Sequence, residues 1–147
     1  MSERMHVPDA LRGTGVIWVF LGGMAGTFVR WLAEENLPSG KGRWPWDIFT
    51  VNIAGALILG FLLQLLLRLG PDAGLRKKIR LGVGTGFCGS LTTYSSFALD
   101  LSDLGRDGFP YLAAGYAAAS VFIGLIAVAV GVAAARRCVP QPAEATP

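Results

Sequence analysis

The 147-residue chain is poor in the residues from which most soluble binding and catalytic chemistry is built. It has two cysteines, Cys88 and Cys138, and one histidine, His6. That is too few for a zinc site, which needs about four ligands, and too few for a disulfide framework. Charge is scarce as well, at 16% of residues, with 13 Lys+Arg against 10 Asp+Glu and a net charge of +3. A nucleic-acid surface is therefore excluded, and no nucleic-acid partner is expected. No nucleophile, base and orienting group converge in a recognisable arrangement, so the chain is not read as an enzyme. What remains is apolar: 52% of residues are hydrophobic, 20 are glycine, and the mean hydropathy is +0.50. This composition belongs in a membrane, and the length corresponds to about one domain.

A helix needs about 20 predominantly apolar residues to cross the hydrocarbon core, and four stretches qualify. They run from about Gly15 to Ala33, Asp47 to Leu67, Ile79 to Leu101 and Phe109 to Ala135, the last ending on Arg136 and Arg137. The pattern predicts an all-α bundle of four transmembrane helices over residues 15–137. Residues 1–14 form a polar leader that mixes Arg4 and Arg12 with Glu3 and Asp9, so the first span is read as retained rather than cleaved. Residues 138–147, with three prolines among the last eight, are expected to be disordered. Trp44 and Trp46 stand where interfacial aromatics belong.

The third stretch is unlike a lipid-facing helix. Gly82, Gly84, Gly86 and Gly89 lead into Ser90, Thr92, Thr93, Tyr94, Ser95 and Ser96. Glycine permits non-helical backbone, and hydroxyls can satisfy freed backbone groups, so an interruption near Gly89 to Thr92 is one reading. Such breaks are tolerated in membranes where they line a cavity or lie within protein, and their carbonyls suit a small hard cation. The other reading is a tightly packed small-residue interface. Gly22 to Gly26 and Gly82 to Gly86 are G-x-x-x-G spacings, which favour close helix contacts. Gly84, Gly86 and Gly89 formally match a dinucleotide fingerprint, but no strand precedes them.

Polar groups inside a span are functional candidates by default. Tyr94 and Phe97, three residues apart, share a helix face, and their ring edges carry partial positive charge that can meet a desolvated anion. The amide of Asn52 can donate to an anion or bridge two helices. Arg30 can draw anions into a vestibule or snorkel to the interface. Asp100, one turn past Phe97, can accept a proton, pair with Arg30 or stand at the interface.

Three ordered blocks resemble the small four-helix fluoride channels, the Fluc or CrcB family: Gly22 to Arg30, Val51 to Gly55, and Gly86 to Asp100. The resemblance covers nearly the whole chain. It implies a passive, fluoride-selective channel in the cell inner (plasma) membrane that exports fluoride and protects against its toxicity. It also implies an antiparallel dimer with two pores at the subunit interface. By motif position, the backbone carbonyls of Gly89 and Thr92 would bind a central structural Na+ that is not transported. Asn52, Tyr94, Phe97, Ser95 and Ser96 would line the fluoride path, with Arg30, Thr93 and Asp100 in vestibule or structural roles. Tyr94 stands where the family typically has Phe, Ser90 where a second Gly is common, and Asp100 where many relatives have Glu.

Four crossings place both termini on one side, with nine basic residues there against four on the other, Arg30, Lys41, Arg43 and Arg106. This bias favours cytoplasmic termini. A chain inserting in both orientations would be balanced, so pairing with an oppositely biased paralogue stands beside homodimerisation. Two rival readings stand beside the channel. A small drug/proton antiporter needs a carboxylate within the first span, and Glu34 and Glu35 follow its expected end. A non-transporting partner or assembly subunit of a membrane complex would use the Ser/Thr cluster only for packing.

Overall fold

The computed structural model describes residues 13–139. Most of the expected leader, with His6, Arg4 and Arg12, and most of the expected tail lie outside the described residues. The described residues are helical and contain no strand. The elements are α1 (Gly13–Asn36), α2 (Trp46–Leu69), α3 (Gly74–Ile79), a π-helical stretch (Arg80–Cys88), α4 (Gly89–Leu91), α5 (Tyr94–Arg106) and α6 (Pro110–Cys138). Helices α1, α2 and α6 are each long and apolar enough to cross a membrane. The third span is composite. Residues 74–91 form one helical rod through the π stretch, and α5 continues after a two-residue gap.

The helices run past their expected ends. α1 continues through Glu34 and Glu35, which are exposed in its last turns, and Glu34 forms an i,i+4 ion pair with Arg30 at 3.7 Å. α6 takes in Arg136, Arg137 and Cys138. Its carbonyl end is held by Arg68 of α2, whose Nη1 donates to the carbonyls of Arg136 (3.2 Å) and Val139 (2.6 Å). A guanidinium there answers two of the four carbonyls that every helix leaves unpaired at its C-terminus. The same contact puts the ends of α2 and α6 together. At the opposite end, Lys41 pairs with Asp107 at 3.6 Å, tying the α1–α2 and α5–α6 connectors.

The bundle is assembled from two intimate pairs, α1 with the π stretch and α2 with α6. In lipid no hydrophobic force drives helices together, so small residues that let backbones touch do that work. A Cβ on Gly22 would overlap the Gly82 carbonyl, and one on Gly86 would lie 2.5 Å from the Val19 carbonyl. The two expected G-x-x-x-G stretches therefore face each other. The α2–α6 pair uses Gly60, whose added Cβ would meet the Val128 carbonyl at 2.7 Å, and Gly131, whose Cβ would meet that of Leu57. Outside these seams the helices present apolar side chains outward, among them Phe20 (65% exposed), Phe122 (67%) and Leu125 (63%).

Candidate functional site

The interruption expected near Gly89 to Thr92 sits at Thr92 and Thr93. Gly89 itself is helical (φ −66°, ψ −26°), whereas Thr92 (φ −82°, ψ 151°) and Thr93 (φ −148°, ψ 127°) are extended. The reason lies in side chains rather than in glycine freedom. Thr92 N–H and Oγ1 both donate to the Cys88 carbonyl, at 3.1 and 2.9 Å, closing the rod. Thr93 Oγ1 accepts from Ser96 N–H at 3.2 Å and caps α5, the usual service of a threonine at a helix N-terminus.

Asn52 of α2 completes the break. Its Oδ1 accepts from Thr93 N–H at 2.8 Å and its Nδ2 donates to the Thr93 carbonyl at 3.1 Å. The amide thus takes the place of a neighbouring strand for one extended residue. Three residues later, Gly55 makes room for the break, since a Cβ there would overlap Thr92 Cγ2. At this helix end two carbonyls lose their donors to side chains. In a continuous helix Gly89 C=O would receive Thr93 N–H and Thr92 C=O would receive Ser96 N–H. The first N–H goes to Asn52 and the second to the Thr93 hydroxyl.

A groove of about 710 Å³ opens beside the break, and its wall includes Asn52, Gly89, Thr92, Thr93, Tyr94 and Phe97. Six of the sequence-predicted residues are therefore brought together. Tyr94 is 80% exposed, with its ring centroid 6.0 Å from that of Phe97. An amide nitrogen carries two hydrogens, and Asn52 Nδ2 spends one on Thr93, leaving a second for a ligand. The groove thus offers ring edges and an N–H donor but no formal cation, an arrangement that can replace an anion's water without trapping it.

Ser95, Ser96, Arg30 and Asp100 are placed elsewhere. Ser95 Oγ lies 3.1 Å and Ser96 Oγ 3.3 Å from Thr93 Oγ1, and Arg30 is engaged with Glu34. Asp100 Oδ2 accepts from the wholly buried Tyr116 hydroxyl at 3.3 Å. Asp100 also borders a second cavity of about 290 Å³ with Lys41, Arg43 and Arg106 at the connector end.

Two residues in this region escaped the sequence reading. Tyr116 packs against Phe97 at a tilt, with centroids 5.2 Å apart, and joins it to Trp44, edge-on at 5.5 Å. Ser120, one turn further along α6, lines the same groove and has a buried hydroxyl with no protein partner. The available signal was a single serine in an otherwise apolar span, since an intramembrane polar group needs a reason. Ser90, the departure at the second glycine position, shares its hydroxyl among the carbonyls of Gly23 (2.8 Å), Gly86 (2.9 Å) and Phe87 (3.2 Å). It ties the rod to α1.

Long apolar helices, a composite third span and a polar break beside a groove define a small multi-pass helical membrane protein. Comparison with known proteins agrees. Residues 17–132 match the family model described as CrcB-like protein, Camphor Resistance (CrcB). The chain is 40% identical over 136 residues to Fluoride-specific ion channel FluC 2 of Leifsonia xyli subsp. xyli, covering 90% of this chain and 91% of that protein. It is 38% identical over 118 residues to Fluoride-specific ion channel FluC 1 of Cutibacterium acnes, covering 80% and 82%. To Fluoride-specific ion channel FluC of Pseudomonas fluorescens it is 40% identical over 120 residues, covering 79% and 92%. The chain belongs to the CrcB family.

Proposed function

We propose that this chain is a fluoride-selective channel of the plasma membrane that lets fluoride leave the cytoplasm passively. The observation that carries the reading is the coincidence of the Asn52-pinned break with the Tyr94–Phe97 groove, in a chain whose relatives are named fluoride-specific ion channels. Fluoride exchanges its water for the free Asn52 N–H, the Tyr94 and Phe97 ring edges and the Ser120 hydroxyl. Ser95 and Ser96, clustered on Thr93, continue the polar path, with Arg30 and Asp100 toward its ends.

The central cation belongs to the same proposal. Hard cations take oxygen ligands, and the carbonyls of Gly89 and Thr92 fit, because each has lost its helical donor to a side chain. A single Na+ there supplies a fixed positive charge beside the anion path. Two carbonyls make half a coordination shell, so a second chain is required. An antiparallel dimer, either of two copies or of this chain with an oppositely biased paralogue, supplies it.

The test is anion efflux from liposomes containing the purified chain alone, read with fluoride and chloride electrodes. Fluoride efflux without chloride efflux, lost when sodium is replaced by a larger cation, is the expected result. It would also establish a homo-oligomer. Phe97→Ala should lower the flux with little effect on folding, and unchanged flux in that variant would remove the groove from the pathway. Activity appearing only after co-reconstitution with a paralogue would select the heterodimer.

A further inference from the structure

At the end of the molecule opposite the Lys41–Asp107 pair lies a cavity of about 500 Å³, bordered by Leu63, Leu66 and Leu67 of α2 and by Asp72, Arg76 and Arg80 across the α2–α3 connector. Its two walls differ in character. The leucines belong to the apolar part of α2, which ends at Leu69, so Leu63 lies roughly 9 Å below the end of the helix at 1.5 Å per residue. Leu67 is 76% exposed. The opposite wall is cationic. Arg80 gives Nε (2.9 Å) and Nη2 (2.7 Å) to Asp72, while Arg76, among the described residues, makes only a long 3.4 Å contact with the Pro71 carbonyl. One carboxylate thus faces two guanidiniums. Arg68, Lys77, Lys78, Arg136 and Arg137 are at the same end, and Asp72 is its one acidic residue among those described.

We propose that this cavity binds an anionic phospholipid, with its phosphate on Arg76 and Arg80 and an acyl chain along Leu63, Leu66 and Leu67. Guanidinium forks match phosphate oxygens, and basic pockets between membrane helices bind acidic headgroups. The leucine wall separates this occupant from a free anion, which has no use for it. The inference rests on the chain crossing a membrane and not on which ion it passes.

Native mass spectrometry of the delipidated full chain in detergent tests it, using phosphatidylglycerol and phosphatidylcholine with the same acyl chains. Phosphatidylglycerol adducts should dominate, and equal binding of the two lipids would overturn the proposal. Arg76→Gln should cut the preference about fivefold, the weight of one basic residue at an acidic membrane surface. Asp72→Asn should raise it, which guards against reading a folding defect as lost binding. Arg137→Gln, outside the cavity, should leave it unchanged. A preference lost in Arg137→Gln but kept in Arg76→Gln would assign it to the basic end at large and overturn the site. Leu67→Ser should weaken both lipids alike, and no change there would overturn the acyl contact. Millimolar inorganic phosphate should not displace the lipid; displacement would make this a site for free phosphate instead.

Discussion

The two halves of the third span are held by opposite means. The rod of residues 74–91 is seated by absence, because Gly86 has no side chain where α1 presses on it and Gly22 of α1 has none where the Gly82 carbonyl lies. The turn into α5 is seated by presence, through Asn52, Thr92 and Thr93 and their side-chain hydrogen bonds. In lipid, backbone polar groups must be paired within the protein. An unbroken helix meets that demand automatically and can be positioned by shape alone. A break cannot, and the groups it frees need partners from side chains or a ligand.

The largest effect should come from filling the seam of the rod. Gly22→Leu places a side chain on the Gly82 carbonyl, and overpacking of this kind costs about 3 kcal/mol or more. Size-exclusion chromatography should show no monodisperse protein, and a well-folded variant would break the comparison. Asn52→Leu comes next. It strands both Thr93 backbone groups, at about 1–3 kcal/mol for each, and should lower fluoride efflux more than tenfold while some folded protein survives. Wild-type flux would show that the break holds itself open without α2. Thr93→Val removes the cap of α5 and should cost about 1 kcal/mol, read as a lower thermal midpoint in detergent. Ser90→Ala removes one tie to α1 and should cost only about 0.6 kcal/mol, the average for a hydrogen bond between helices in a membrane. A cost above that of Thr93→Val would mean that hydroxyls, not glycines, also seat the rod.

Much of this architecture could be read along the chain. Long apolar runs separated by charged connectors located the spans, because hydrocarbon thickness sets their length. The G-x-x-x-G stretch at Gly22 identified a close contact, and the Ser/Thr cluster identified the interruption. The helix ends were misplaced by a few residues, since Glu34, Glu35, Arg136 and Arg137 can remain helical at the interface with their charges in water. The break was expected near Gly89 to Thr92 with glycine as the residue that permits irregular backbone, yet here the threonines make the turn. Tyr116 and Ser120 were missed because α6 reads as uniformly apolar, and only its packing against α2 and α5 shows what its face meets.

Composition and periodicity by themselves determined that this is a helical membrane protein, how many times it crosses and which segment is exceptional. Those properties follow from the bilayer, which acts on each segment independently. Where the third span opens, and which carbonyls are left without donors, was decided only by the tertiary structure. The deciding partner, Asn52, lies 41 residues away in sequence from Thr93, and a hydrogen bond across that distance exists only once α2 and the rod have been packed together.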